Sequence, residues 1–381
     1  MIKLTKFDHI RPYLDTEVND ALKRIQQHPI IKALLNFSLP NLSEAAQVEK
    51  LLACNSIHDF QIDIIYKGIQ NILEQTSEGL TTSGFEKLEK NTSYLFVSNH
   101  RDIILDTSLL NVALYDNNLV MTASAIGDNL VEKPILLELS KLNRNFLVQR
   151  SLSPREMLLS SKLLSEYIYK NLLDDNRSVW LAQREGRTKD GNDETQQGVL
   201  KMLALGCGKG QNTFDYFKKL KIVPVSISYE YDPTDMIKMP ELMAKYYEKE
   251  YIKSSNEDFN SILRGLTGQK KRIHIAIGDI LSEELDGIKA MDLPQNKQLQ
   301  ELAQLIDRKI YEGYKLWPSK YIAYDLLHQT NKYTAYYTEK EKRQFERRID
   351  RRVEPYNHIA LKNFLLMYAN PVINKEKHAN G

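Results

Sequence analysis

Two apolar runs that stop abruptly at ionisable residues constrain this chain more than any other feature. Ser93 to Asp106 reads SYLFVSNHRDIILD; its strand-like part ends at Asn99-His100, with Asp102 and Asp106 following. Val179 to Lys189 reads VWLAQREGRTK and ends at Arg184-Glu185-Gly186-Arg187. Short apolar runs bounded by polar turns read as buried strands. Ligands of open α/β sheets bind outside the carboxyl ends of the strands, so these two endings define an expected α/β active site. A histidine near a carboxylate can take a proton from a hydroxyl. A Glu-Gly-Arg turn among further cations can hold a phosphate.

The rest of the chain supplies the frame. Residues 1–80 read as helical, with apolar spacings of three and four over Glu17 to Leu35, Leu42 to Ala53 and His58 to Gln75. From Tyr94 onward, strands and helices alternate. Strands are expected at Tyr94 to Ser98, Leu119 to Ala125, Phe146 to Val148, Val179 to Ala182, Ile222 to Ser228 and Arg272 to Ile277. Helices are expected at Ile103 to Leu114, Pro154 to Leu173, Gly198 to Leu205 and Pro240 to Tyr251, the last with its proline in the first turn. This alternation predicts an α/β fold, a mixed, largely parallel central sheet flanked by helices. Lys297 to Leu316, Ser319 to Leu327 and the charged stretch Glu339 to Arg352 turn helical again. The expected organisation is an N-terminal helical region (1–80), an α/β domain (81–290), a C-terminal helical extension (291–370) and a disordered tail (371–381).

Composition narrows the class. A net charge of +2 is too small for a polyanion binder by bulk charge. The two cysteines, Cys54 and Cys207, are too far apart for a zinc pattern and too few for a disulfide framework, which fits a reducing cytoplasm. The start, MIKLTKFDHIRPY, lacks the apolar core of a signal peptide, and no run approaches the roughly 20 apolar residues of a membrane span. A soluble or peripheral protein is expected.

Each candidate residue has a plainer reading beside its chemical one. Asp106 or Asp102 could orient His100, yet Asn99 and Asp102 could equally cap the helix that follows. Arg184, Arg187 and Lys189 place three cations within six residues, and Gly186 permits close backbone approach. A turn of that kind can also be merely solvated. Arg150 ends the FLVQR run and becomes a second phosphate ligand if that run is a strand. In PVSISYE, Pro224 to Glu230, Val225 and Ile227 read as core. Gly206-Cys207-Gly208-Lys209-Gly210 lacks the Walker spacing and reads as a helix end and loop.

Taken in order, these blocks resemble the glycerolipid acyltransferase superfamily, the glycerol-3-phosphate and 1-acylglycerol-3-phosphate acyltransferases. SNHRDIILD is similar to that family's His-x4-Asp motif, FLVQR to its Arg-bearing strand end, LAQREGRTK to its Glu-Gly-Arg phosphate motif and IVPVSISYE to its proline-containing strand. The resemblance spans roughly residues 80–282. It departs in one place: the family's carboxylate would fall at Leu105, and the carboxylates present are Asp102 and Asp106. A one-residue expansion of the loop lets Asp106 serve. Arg187 also sits one place earlier than in the lysophosphatidate type.

The resemblance implies that His100, assisted by Asp106 or Asp102, activates an acceptor hydroxyl. It implies that Arg150, Glu185, Gly186, Arg187 and Lys189 serve the acceptor phosphate. It implies acyl-CoA or acyl carrier protein as co-substrate, no metal or cofactor, a lysophospholipid-type acceptor and no nucleic acid. It also implies a cytoplasmic protein peripheral on the inner face of the membrane. Membrane contact is sought in the Tyr246-Tyr247 region with Tyr251, in the basic stretch Arg343, Arg347, Arg348, Arg351 and Arg352, or in the N-terminal helices. Three other readings stay open on the residues alone: a lyso-amino-acid lipid as acceptor, a hydrolase using the same His–Asp pair on water, and a non-catalytic lipid-binding protein.

Overall fold

Why the two apolar runs become neighbours is clear from the sheet of the computed structural model, which describes residues 5–254 and 256–379. Seven strands form one sheet: β1 (Ser77–Ser83), β2 (Leu95–Ser98), β3 (Thr122–Gly127), β4 (Asn145–Val148), β5 (Ser178–Ala182), β6 (Ile222–Tyr229) and β7 (Lys271–Ile277). Their spatial order is β1-β7-β6-β2-β5-β3-β4. Only β6 and β7 pair antiparallel; the other pairs are parallel. The fold is the mixed, largely parallel sheet expected, with helical regions before and after it. β2 and β5 pair directly, Ser98 opposite Ala182, so the His100 loop and the Glu185 turn leave the sheet side by side.

Alternation within each strand feeds two cores. Leu95, Val97, Val179, Leu181 and Ile222 face one layer of helices, which includes 154–169, 197–204 and 295–313. Phe96, Trp180, Val223, Val225 and Ile227 face the other, which includes 105–116. Strands β2 and β6 are buried over their whole length, so β6 is an internal strand rather than an edge. The N-terminal helices have a third core of their own, around Leu22, Leu35 and Phe60, which also takes in Ile135 and Leu142. The expected boundary at residue 80 therefore falls inside β1, a polar edge strand that carries the N-terminal region into the sheet.

The structure corrects several expectations. Pro240 lies inside a helix, Asp235–Tyr246, not at its start. A proline there removes only the bond to the Met236 carbonyl, in the helix's first turn. The expected disordered tail is helical through Ala379: the helix His358–Ala379 buries Val372 and Asn374, and Lys375 Nζ donates to the carbonyls of Glu312 and Tyr314 at 3.0 Å each. Residues 380–381 lie outside the described residues. Helices at Pro134–Leu142, Thr213–Lys219, Glu257–Thr267 and Ser282–Ala290 were not anticipated. Among the described residues, no helix is long and apolar enough to cross a membrane.

Candidate active site

The loop after β2 is fixed before it presents any chemistry. The Asn99 side chain is fully buried; its Nδ2 donates to the Ile227 carbonyl (3.0 Å) and its Oδ1 accepts from the Ile227 N–H (2.8 Å). This ties the loop to β6. Asn99 therefore does not cap the helix that follows. Asp102 does: its Oδ1 accepts from the N–H groups of Ile104 (3.0 Å) and Leu105 (2.9 Å).

Asp106 then lies one residue into that helix and points back at the loop. Its Oδ2 faces His100 Nδ1 at 2.8 Å and accepts from the backbone N–H groups of Arg101 (2.6 Å) and Asp102 (3.0 Å). Its Oδ1 accepts from the Tyr229 hydroxyl at 2.9 Å. Burial, then the nearby Asp106 charge, pushes the Tyr229 phenol well above its ordinary pKa, so it remains a donor. The His100 ring meets Trp180 edge-on, centroids 5.3 Å apart, and Trp180 Nε1 is held by Ser98 Oγ at 2.9 Å.

The second carboxylate has a different setting. Asp102 Oδ2 is buried and has no hydrogen-bond partner. A Cβ on Gly265 would stand 2.1 Å from it, so the helix 257–267 closes over Asp102 because it lacks a side chain there. Burial, with the Asp106 charge adding to it, raises the Asp102 carboxyl above the usual aspartate range; its two backbone bonds offset only part of this. The structure thus pairs His100 with Asp106 and makes Asp102 the cap.

The loop after β5 is stitched to the first. The Thr188 N–H donates to the His100 carbonyl (3.0 Å), and the Gln183 N–H to that of Ser98 (2.8 Å). Thr188 Oγ1 donates to the buried Asp193 Oδ1 (2.7 Å), while Asp193 Oδ2 takes Arg101 Nη2 at 2.5 Å. Tyr314 also donates to the Asp193 carboxylate and Tyr311 to its carbonyl. Beneath them, the buried Lys238 pairs with Asp232 and donates to the Arg101 carbonyl (3.0 Å). Burial opposes charge on Asp232, but Lys238 and the Thr234 bonds outweigh it and hold the carboxyl far below its usual range.

Gly186 adopts a φ of +69°, a left-handed backbone in which a side chain would be strained. Arg150 and Glu185 meet at 2.5 Å across 35 positions of sequence. Lys189 is drawn to Glu241 instead, and burial lowers its pKa in spite of that partner. Arg187 is buried, and its Nη1 has no partner; the same is true of Arg184 Nε.

All these groups border one cleft of about 1550 Å³. His100, Arg150, Arg184, Glu185, Arg187 and Lys189 line its polar part. Leu34, Phe37, Ile65, Ile69 and Ile72, from the N-terminal helices, line an apolar wall together with Ile103 and Leu136. His100, the cations of the second loop and a long apolar surface therefore share one space.

Residues 79–228 match the family model described as Acyltransferase, and that span contains β2, both loops and β6 up to Ser228. This segment is similar to acyltransferase domains. The resemblance to glycerolipid acyltransferases read from the motifs therefore holds at the level of the family. Among solved structures, the chain is similar to the 1-acyl-sn-glycerophosphate (LPA) acyltransferase PlsC from Thermotoga maritima. The TM-score is 0.37 and the identity 12%, over 76% of this chain and 93% of that one. No curated protein matches the chain.

The site also has neighbours that the motifs alone did not reveal. Tyr229, Arg101, Asp193, Lys238 and Asp232 all act on the two loops. Tyr229 had a usable signal: it shares a strand face with Val225 and Ile227, at the end where His100 emerges. Arg101 and Asp193 sit in the two loops themselves, and Asp232 and Lys238 are brought in from beyond β6; none had such a signal. Of the basic stretch expected to meet a membrane, Arg348 and Arg352 turn inward to Asp235, at 2.7 and 2.9 Å.

Proposed function

We propose that this acyltransferase moves a fatty acyl group from an acyl thioester, on coenzyme A or acyl carrier protein, to the hydroxyl of a phosphate-bearing glycerolipid acceptor. The acceptor is 1-acylglycerol-3-phosphate or glycerol-3-phosphate. One observation carries the reading: His100, backed by the buried Asp106, borders a cleft that is cationic on one side and apolar on the other. A hydrolase using the same pair on water needs no phosphate clamp.

In this proposal the acceptor hydroxyl approaches His100 Nε2, since Nδ1 is engaged by Asp106. Nε2 takes the proton as the oxygen attacks the thioester carbonyl carbon. The C–S bond then breaks, and the imidazolium returns the proton to the departing thiolate. Asp106 keeps Nδ1 protonated and offsets the charge that develops on the ring. Arg187, with Arg184 and the Arg150–Glu185 pair, holds the acceptor phosphate, which orients the hydroxyl. No metal or cofactor is needed. The acceptor reaches the cleft from a membrane surface, and Met157, Leu158 and Leu159, consecutive and exposed beside the cleft, supply an apolar contact for it.

The test is transfer from a radiolabelled long-chain acyl thioester to lysophosphatidate, glycerol-3-phosphate and a lyso-amino-acid lipid. Transfer to a phosphate-bearing acceptor that His100→Ala abolishes supports the proposal. Transfer to the amino-acid lipid alone, or release of free fatty acid alone, refutes it.

A further inference from the structure

A second recess, of about 450 Å³, lies at the C-terminal end of the helix Glu257–Thr267, where it meets the helix Glu339–Asp350 and the turn after it. Six cations line it: Arg264, Lys271, Arg347, Arg348, Arg351 and Arg352. No carboxylate lines it. Its inner cations are built in. Arg348, 7% exposed, and Arg352, 14% exposed, are fixed from behind by the buried Asp235. Lys271 is held by the buried Glu230 at 3.4 Å, and the Tyr231 ring carries Lys271 and Arg348 at 5.0 and 4.4 Å from its centroid. The outer cations, Arg264, Arg347 and Arg351, are exposed and have no acidic partner among the described residues.

Like charges gathered in a concavity with low-dielectric walls focus a positive field. Arginine forks match phosphate oxygens in pairs. The volume exceeds what one phosphate fills and falls in the range of nucleotide-sized ligands. The recess is also not isolated. Thr267 and Gln269 border both it and the cleft that contains His100. A ligand with phosphates at one end and a long arm ending in a thioester could occupy both.

We infer that the recess binds the phosphate groups of the nucleotide end of a coenzyme A thioester, whose arm passes Thr267 and Gln269 into the cleft. This rests on the acyl-transfer reading for its choice of ligand, but not for the anion site itself. The experiment is calorimetric titration of the full chain with CoA, dephospho-CoA, adenosine 3′,5′-diphosphate, inorganic phosphate and anionic phospholipid vesicles. The proteins are wild type, Arg347→Gln/Arg351→Gln, and the surface control Lys340→Gln/Lys362→Gln.

The expected result is a loss of about 10-fold or more in affinity for CoA and for adenosine 3′,5′-diphosphate in the arginine variant alone. KM for acyl-CoA should rise by a similar factor at unchanged kcat. Unchanged CoA affinity in the arginine variant overturns the proposal. So does inorganic phosphate binding as tightly as the nucleotide, or a loss confined to binding of anionic phospholipid vesicles, since either names a different occupant. If wild type transfers no acyl group, the adenosine 3′,5′-diphosphate titration still decides the recess on its own.

Discussion

The loops after β2 and β5 leave adjacent strands at the same level, yet they are finished in opposite ways. In the first, the protein satisfies both ends of the Asn99 amide and gives the Asp106 carboxylate four partners, leaving the buried Asp102 Oδ2 unmet. In the second, the Gln183 side-chain amide, Arg184 Nε and Arg187 Nη1 are buried without partners. An unmet buried donor costs about 1–3 kcal/mol, so these groups gain from any anion that reaches them. On the proposed function, the first loop is set in advance for moving a proton, and Arg184 and Arg187 of the second are left to meet an anionic substrate. The first should therefore govern kcat, and the second KM.

The largest expected effect tests the first loop. His100→Ala should lower kcat for acyl transfer by about 10²–10⁴-fold, the usual contribution of a positioned general base. Asp106→Asn should fall in the same range, because an amide cannot both orient the ring and offset its charge. Asp102→Asn, which keeps the oxygen that caps the helix, should leave kcat little changed. Steady-state kinetics on the three variants check this. Equal losses from Asp102→Asn and Asp106→Asn would erase the distinction between cap and partner.

Next comes the second loop. Arg187→Gln should raise KM for a phosphate-bearing acceptor, lowering kcat/KM about 10- to 100-fold, as expected for loss of a charged hydrogen bond. KM for the acyl donor should remain as it was. A loss carried mainly by kcat would move Arg187 to the proton-transfer side of the comparison. Tyr229→Phe should be milder, about 10-fold in kcat, because it removes one of the four bonds that aim Asp106. Its basic variant for comparison is Tyr229→His, which restores a donor of different reach and should recover part of the rate.

How much of this was legible without coordinates depends on range. β2 and β5 were visible because a strand buried on both faces is an unbroken apolar run. Their carboxyl ends gave His100 and Arg187, and loop length pointed to Asp106 over Asp102. What was lost is whatever depends on distant chain. Asn99 looks like a cap until β6 passes beside it and offers both backbone groups of Ile227. The Arg150–Glu185 pair needs β4 and β5 on either side of β3. Lys189 looks like a phosphate ligand until Glu241, on a helix whose start was misplaced by its proline, comes within reach. The C-terminal helix hid because Lys375 and Glu376 look solvated in a list, yet Lys375 ties down the end of the helix 295–313.

The smallest effect is one of stability, and it sharpens the contrast between the two carboxylates. Asp102 has a folded-state pKa above the ordinary aspartate value of about 3.9. As pH rises through that ordinary value, the unfolded chain releases the proton while the folded chain still holds it. The unfolded state then binds fewer protons, so stability must fall with rising pH until the folded pKa is passed. Asn at this position keeps the cap and cannot ionise. The melting temperature of Asp102→Asn should therefore match wild type well below pH 4 and exceed it increasingly as pH rises toward neutral. A constant offset between the two melting curves would mean that the buried oxygen under Gly265 is paid for by something other than its charge.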